Sequence, residues 1–231
     1  MEKIVVLTGA GISAESGLGT FRDEGGLWAR HAIEDVATPE GFARDPALVH
    51  RFYNARRVQA AEATPNAAHR ALARLEQSFR GDVLIVTQNV DSLHESAGNR
   101  NVLHMHGTLS GALCGSCDHR WTAPPEMTPD DPCPSCSARA VRPDVVWFGE
   151  VPYYMDKIWR HLEEADASCT IGTSGQVYPA AAFAQYASRA GAHTVELNLE
   201  PSANARDFGE ERHGPATQIV PAWVDEILGQ P

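Results

Sequence analysis

Hydrophobic positions along the chain follow two patterns that alternate. Short apolar runs rich in β-branched residues are separated by longer segments whose apolar residues recur every three or four positions. The first pattern is typical of strands buried on both faces, and the second of helices that pack through one side. Because the patterns alternate, we predict an α/β fold with a doubly wound parallel sheet and right-handed crossovers. The predicted main strands are residues 4–8, 83–87, 168–171 and 194–198.

Capping residues and prolines mark where the helices begin. Thr38 and Asp45 each precede a proline, and both are predicted N-caps. Asp91 is a third predicted cap, for a short helix that continues to Ser96 and stops at Gly98. The remaining helices are predicted over residues 47–63, from residues 64–66 onward, around residues 155–162, and over residues 179–189 and 223–228.

Polar and ionisable side chains follow two of the predicted strands. Asn89 and Asp91 come just after the strand at 83–87, where an open parallel sheet places its ligand contacts. Residues 102–107 are predicted to form a short strand that ends at glycine. Since side chains alternate along a strand, His104 and His106 are expected to face the same way.

A glycine-rich turn follows the first strand, in the form G-x-G-x-x-A over residues 9–14. Gly9 permits a tight turn, Gly11 permits close approach of a pyrophosphate, and Ala14 lets the next helix pack on the sheet. A plain glycine turn between a strand and a helix fits the same pattern. Residues 16–23 are rich in glycine and polar groups, and are predicted to form a mobile loop that carries Phe21 and Arg22 beside a dinucleotide.

The charge balance bears on partners and location. There are 19 Lys and Arg residues against 30 Asp and Glu residues, a net charge of −11. Such a charge opposes binding to nucleic acid or to an anionic membrane and favours basic, lysine-bearing partners. The first strand starts close to residue 1 and no apolar run approaches membrane-spanning length, so a cytoplasmic location is expected.

Four of the five cysteines form two C-x-x-C pairs. Their spacing is that of a four-cysteine zinc ribbon, whose closed tetrahedral shell makes the metal structural. A redox role for the pairs is the alternative, whereas Cys169 lies in an apolar strand and is expected to be an inert buried thiol. The predicted zinc ligands are Cys114, Cys117, Cys133 and Cys136.

Seven motifs occur in the order of a known family, from Gly9 to Glu200: GAGISAESGLGTFRD, TQNVD, HMHG, the two C-x-x-C pairs, RPDVVWFGE, GTSGQVYP and NLE. The chain resembles the sirtuins, and most closely the bacterial class III members of the CobB type. The resemblance implies one catalytic domain over residues 1–231. Its large Rossmann-like part would comprise residues 1–25, 65–110 and 145–231, and its small part a helical segment at 26–64 and the zinc ribbon at 111–144.

The resemblance also implies an activity and a cofactor. Sirtuins remove acyl groups from lysine with NAD as co-substrate, releasing nicotinamide and O-acyl-ADP-ribose. His106 matches the general base that acts on a ribose hydroxyl, a role suited to an imidazole; His104 is the competing candidate from the residues alone. Asn89 is the second residue matched to catalysis. The positions matched to NAD binding are Gly9, Ala10, Gly11, Phe21, Arg22, Gln88, Asn89, Asp91, Gly172, Thr173, Ser174, Asn198 and Glu200.

The acyl-lysine substrate is assigned by the same resemblance. Tyr53 and Arg56 lie three residues apart and share a helix face. They match the Y-x-x-R that binds the distal carboxylate of succinyl- or malonyl-lysine, and an arginine fork suits that group. A surface tyrosine and arginine on an amphipathic helix is the alternative. The positions matched to backbone pairing with the substrate are Val146, Phe148, Gly149 and Glu150.

We therefore expect an NAD-dependent protein-lysine deacylase that acts on succinyl- and malonyl-lysine and also on acetyl-lysine. Its expected partners are acyl-lysine proteins or peptides, with no membrane and no direct nucleic-acid contact. Three other functions stay open: a nicotinamide dehydrogenase, a protein ADP-ribosyltransferase, and a non-catalytic NAD-sensing or zinc-ribbon module.

Overall fold

Two β-sheets organise the computed structural model, which describes residues 1–19 and 31–229. The strands are β1 Lys3–Thr8, β2 Asp82–Thr87, β3 Val102–His104, β4 Gly107–Cys114, β5 Arg120–Thr122, β6 Val141–Val145, β7 Ala167–Ile171, β8 His193–Asn198 and β9 Glu210–His213. The larger sheet is parallel, with six strands in the order β3-β2-β1-β7-β8-β9. This sheet confirms the predicted Rossmann-like α/β fold.

Helices cover both faces of the larger sheet. Their bounds are α1 Ala10–Ala14, α2 Ile33–Val36, α3 Pro39–Arg44, α4 Pro46–Glu62, α5 Ala67–Ser78, α6 Leu93–Ala97, α7 Met155–Glu163, α8 Phe183–Ala190 and α9 Ala216–Leu228. Alternate residues of a strand point to opposite faces, so the side chains of each strand pack in two cores, one on each face of the sheet. Ile85 of β2 packs in the core under α5 and α9, whereas Leu84 and Val86 pack in the core under α7 and α8.

The register of the central strands aligns their carboxyl ends. Thr8 at the end of β1 is opposite Thr87 of β2 on one side and Ile171 of β7 on the other. The residues that follow these three strands therefore meet at one edge of the sheet. The predicted ligand contacts fall at this edge.

Three antiparallel strands, in the order β5-β4-β6, form the smaller sheet. A separate small core includes Ala112, Met127 and Val141 and two of the paired cysteines, Cys114 and Cys133. A fourth hydrophobic cluster joins α2 and α4 to the segment after β6 through Val36, Phe52 and Trp147, among others. Within residues 1–19 and 31–229, no helix combines the length and the apolar character that crossing a membrane requires.

Two of the predicted caps are confirmed. The Thr38 side chain accepts a hydrogen bond from the Gly41 N–H at 3.0 Å, and the Asp45 side chain accepts one from the Leu48 N–H at 2.8 Å. The third predicted cap, Asp91, lies one residue too early, because the N-cap of α6 is Ser92.

Three other boundaries differ from the sequence prediction, and the outermost strand of the larger sheet was missed. The strand predicted at 102–107 ends at His104, so strand alternation does not relate the two histidines. The last helix begins at Ala216, seven residues early, and contains Pro221 in its interior. The helix predicted at 179–189 begins with a 3₁₀ turn over Ala180–Ala182. Strand β9 was missed because its sequence, EERH, carries no apolar pattern.

Candidate active site

Two glycine turns meet at the carboxyl edge of the central strands. The Gly9 N–H donates to the Ile171 carbonyl and the Gly11 N–H to the Gly172 carbonyl, both at 2.9 Å. A Cβ on Gly11 would lie 2.7 Å from the Gly172 Cα, and Gly172 itself has φ +62°. The bare backbone at Gly11 therefore makes room for the neighbouring turn, a requirement that the glycine pattern alone did not reveal. Together the turns form a cradle of backbone groups at the edge where dinucleotides bind in such sheets.

Asn89 and Asp91 lie beside this cradle and are both buried. The Asn89 amide donates to the Gly9 carbonyl and to Ser13 Oγ, each at 3.1 Å. The Asp91 carboxylate accepts from Ser13 Oγ at 3.2 Å and from the Leu93 N–H at 3.0 Å. Burial raises the pKa of Asp91, and these hydrogen bonds oppose the rise. The predicted pair is thus brought together through Ser13, which the sequence did not single out.

Behind Ser13 lies a buried polar network that sequence reasoning missed. The His69 ring is 3.4 Å from Ser13 Oγ, and the His94 ring is 2.9 Å from Thr8 Oγ1. Burial lowers the pKa of His69 to about 4 and that of His94 to about 3, so both rings are neutral near pH 7. One signal was available: His69 stands three residues after the helix cap Asn66 and completes a capping box with it.

His104 and His106 have different surroundings. The His106 Nδ1 lies 3.2 Å from the Gln88 carbonyl oxygen, which can only accept. Nδ1 therefore carries the proton, and Nε2 of the neutral ring keeps a free lone pair. His104 instead places Nδ1 at 2.9 Å from the Asn89 carbonyl and Nε2 at 2.7 Å from Glu95 Oε1, so both of its nitrogens are engaged.

The pKa shifts of these two histidines have opposite signs. Burial lowers the pKa of His106, against a smaller effect of the hydrogen bond to Gln88. Burial also acts to lower the pKa of His104, but the hydrogen bond to Glu95 and its charge raise it overall. Near neutral pH, His106 is able to accept a proton at Nε2, and His104 is held by its two partners.

Tyr53 and Arg56 of α4 lie next to the segment after β6. Tyr53 is buried, and its hydroxyl accepts a hydrogen bond from Trp147 Nε1 at 3.0 Å. Burial raises the pKa of Tyr53 to about 12, so the phenol keeps its proton. Burial lowers the pKa of Arg56, while Tyr53 and Asp91 act in the opposite direction. The two side chains are therefore not a plain surface pair, and the charge of Asp91 reaches Arg56.

The segment after β6 is fixed by internal hydrogen bonds. The Val146 N–H donates to the His106 carbonyl at 2.9 Å and the Phe148 N–H to the Ala37 carbonyl at 3.0 Å. The Glu150 carboxylate binds the Arg142 guanidinium at 2.6 and 2.9 Å, and that guanidinium lies 3.5 Å above the centre of the Trp147 ring. Gly149, between these anchors, has φ +91°.

The four paired cysteines converge at the end of the smaller sheet. Sγ of Cys114 lies 3.7 Å from Sγ of Cys136, and Sγ of Cys117 lies 3.8 Å from Sγ of Cys133. All four sulfur atoms lie within 4.8 Å of one another. Zinc–sulfur bonds of about 2.3 Å in a tetrahedron place sulfurs about 3.8 Å apart, whereas a disulfide needs about 2.05 Å. The donor set therefore fits one zinc ion with a closed shell.

A family model matches this chain over residues 9–179, under the description Sir2 family. This chain belongs to the Sir2 family. A relative from Caulobacter vibrioides, named NAD-dependent protein deacylase, is 54% identical over 232 residues, which is 99% of this chain and 98% of that protein. A relative of the same name from Escherichia coli is 55% identical over 235 residues, 99% of this chain and 84% of that protein.

Solved Sir2 structures have the same fold. A mutant Sir2 homologue in complex with ADP-ribose superposes with a TM-score of 0.91 at 38% identity, covering 97% of this chain and 91% of that chain. A Sir2 mutant with a deacetylated p53 peptide and 3′-O-acetyl ADP-ribose gives a TM-score of 0.83 at 26% identity, covering 97% and 93%.

The other predicted NAD contacts that the structure describes lie just after β1, just after β7, and at or just after the end of β8. The Asn198 amide donates to the Thr173 carbonyl at 2.8 Å, and Ser174 Oγ accepts from the Gln176 N–H at 3.3 Å. Glu200 is exposed just after β8. Ala10 is the first residue of α1. Phe21 and Arg22, with the rest of the predicted loop from residue 20, lie outside the described residues.

Proposed function

We propose that this protein is an NAD-dependent protein-lysine deacylase that acts on succinyl- and malonyl-lysine and also on acetyl-lysine. The observation that carries the proposal is the His106–Gln88 hydrogen bond, which leaves Nε2 of a neutral imidazole without a hydrogen-bond partner among the described residues. The names of the Caulobacter and Escherichia relatives support the deacylase class.

NAD would be held at the edge of the larger sheet. The glycines at 9, 11 and 172 donate their N–H groups within the chain and would serve the pyrophosphate by letting it approach a backbone without side chains, with Asn198 and Glu200 on the adenosine side. Asn89 and Asp91 would hold the nicotinamide end, since their amide and carboxylate are buried and oriented by Ser13. When bound, NAD supplies a ribose carbon that becomes electrophilic as nicotinamide leaves.

His106 is the proposed general base. Its Nδ1–H is committed to Gln88, so a proton from a ribose hydroxyl would go to Nε2. A lowered pKa keeps the ring in the basic form at neutral pH. Both ring nitrogens of His104 already have hydrogen-bond partners. This ring would instead position Asn89, through the hydrogen bond to the Asn89 backbone carbonyl.

The acyl preference rests on Tyr53 and Arg56. A carboxylate at the end of a succinyl group would accept hydrogen bonds from the Arg56 guanidinium and from the Tyr53 hydroxyl. The lowered Arg56 pKa supports this role, because a desolvated guanidinium gains most from a carboxylate partner. An acetyl group carries no distal carboxylate, so it would make neither of these hydrogen bonds.

The substrate backbone would pair with the segment at 146–150 by β-augmentation. The N–H groups of Val146 and Phe148 already donate within the chain, so a peptide would meet their carbonyls and the Gly149 N–H. We also propose the division into a large part at 1–25, 65–110 and 145–231 and a small part at 26–64 and 111–144, with the zinc ion stabilising the small part.

The test is incubation of the protein with a succinyl-lysine and an acetyl-lysine peptide of the same sequence, with and without NAD. We expect NAD-dependent formation of the deacylated peptide, nicotinamide and O-acyl-ADP-ribose, each measured by mass spectrometry, with faster turnover of the succinyl peptide. ADP-ribose attached to protein would identify a transferase instead. Reduced NAD would identify a dehydrogenase, and cofactor binding without products a sensing module.

A further inference from the structure

Strands β8 and β9, at one margin of the larger sheet, bring together a second group of metal-ligand residue types. Glu196 pairs with Glu211 in the strand register, and Asn198 pairs with His213. Because alternate residues share a face, Glu211 and His213 point to the same side of β9. One side-chain donor atom from each of Glu196, Glu211 and His213 lies within 4.8 Å of the others.

Glu196 is the unusual member of this group. Its side chain is 0% exposed, and its Oε1 atom has no hydrogen-bond partner among residues 1–19 and 31–229. The other oxygen, Oε2, accepts a hydrogen bond from the Ser202 N–H at 3.3 Å. A buried carboxylate oxygen without a partner is costly, and a bound cation is one of the few groups that removes the cost.

The spacing of the donor atoms matches a shared ion better than direct hydrogen bonds. His213 Nε2 lies 3.5 Å from Glu196 Oε2 and 3.7 Å from Glu211 Oε2. Charge-assisted N–H···O bonds are shorter, at about 2.7–2.9 Å. Ligands that bind one zinc ion at about 2.1 Å in a tetrahedron lie about 3.4 Å apart.

We propose that Glu196, Glu211 and His213 form a binding site for a divalent transition-metal ion, separate from the four-cysteine site. Two carboxylates and one imidazole suit zinc, whereas magnesium prefers a shell made of oxygen alone. Glu211 and His213 are partly exposed, so an ion has a path to the site and water completes its shell. Bound there, it would join the outermost strand β9 to β8, which ends at the proposed adenosine contact Asn198.

The test uses the tag-free protein with its four-cysteine site already loaded with zinc. Zinc chloride alone is titrated into it by calorimetry, and bound zinc is counted by elemental analysis after desalting. We expect the wild type to bind one equivalent of zinc in addition to the ion in the four-cysteine site. Glu211→Gln and His213→Ala should each weaken the additional binding by more than about tenfold, since even loss of an outer-shell partner costs about that much.

A matched control lies on the opposite face of the same two strands. His193 Nε2 is 3.0 Å from Glu210 Oε2, and the other oxygen of this carboxylate accepts from Arg212 Nε at 2.6 Å, so both Glu210 oxygens have partners. His193→Ala should keep the additional equivalent. The proposal is overturned if the wild type binds no additional zinc, if His193→Ala weakens binding as much as His213→Ala, or if magnesium displaces the zinc. Thermal unfolding without added metal checks that each variant is folded.

Discussion

His106 and Gln88 are joined by a hydrogen bond of 3.2 Å from the ring Nδ1 to the backbone carbonyl oxygen. The bond selects the tautomer of the ring and leaves Nε2 as its only acceptor. Gln88 directly follows strand β2 and its N–H donates to the Thr8 carbonyl, so the ring is fixed against the centre of the sheet.

Replacement of this ring should abolish turnover without abolishing cofactor binding. For His106→Ala we expect kcat for desuccinylation to fall roughly 10²–10⁴-fold, because a positioned general base contributes about that much. The Kd for NAD, measured by calorimetry, should change little, since Asn89 and Asp91 are held by Ser13 and not by His106. A variant with wild-type turnover would rule out the proposed base.

The two neighbouring histidines should titrate on opposite sides of pH 6.5. Burial lowers the folded-state pKa of His106, and the Glu95 carboxylate raises that of His104. Because the reaction needs neutral His106, kcat should fall as the pH drops through the lowered pKa of this ring, on the acidic side of an ordinary histidine. NMR titration of the ring protons measures both values. Glu95→Gln should lower the His104 pKa and leave that of His106 in place; a His106 pKa above 6.5 would contradict the assignment.

Arg56→Met should change the acyl preference. We expect desuccinylation to fall roughly 30-fold or more, from the loss of about 2 kcal/mol of a desolvated charge pair, while deacetylation falls far less. Rates on the two peptides measure the ratio. Arg57→Met is the control on the same helix, since the Arg57 guanidinium is engaged by the Pro125 carbonyl at 3.3 Å and by Asn54 Oδ1. Equal losses on both peptides for Arg56→Met would refute the pocket.

Removal of one zinc ligand should unfold the smaller sheet. Cys114 is buried in the core of that sheet, which is too small to be stable without the metal. For Cys114→Ser we expect loss of bound zinc, a lower Tm and reduced deacylation, and chelation of the wild type should act the same way. Cys169→Ala serves as the control, because Cys169 is buried in β7, outside the cysteine cluster, and this variant should keep the zinc ion of the four-cysteine site. A folded wild-type protein without zinc would disprove the site.

Gly11→Ala should damage the cradle through packing. The added Cβ would lie 2.7 Å from the Gly172 Cα, so the two turns would have to separate. We expect NAD binding to weaken at least tenfold, or the Tm to fall, as seen by calorimetry and thermal unfolding. Gly209→Ala is the control, since its Cβ would meet only ordinary contacts from 3.6 Å. Unchanged NAD affinity and Tm in Gly11→Ala would show that the turns tolerate separation.

The sequence by itself determined the fold class, the family, the paired cysteines and the positions that follow the main strands. These features are local. An apolar run, a helix cap such as Thr38 or Asp45, and a fixed spacing each depend only on residues a few positions apart in the sequence. The cytoplasmic location stays a prediction. Strand β9 had no local signal, because an edge strand can be entirely polar when its pairing partner supplies the hydrogen bonds.

Only the tertiary structure decided which histidine has a free nitrogen, since Gln88 and Glu95 reach His106 and His104 from other elements. It also revealed Ser13 as the link between Asn89 and Asp91, and it left one oxygen of Glu196 without a partner among the described residues. Protonation, tautomer and burial depend on atoms that are distant in the chain and close in space. No pattern of neighbouring residues contains that information.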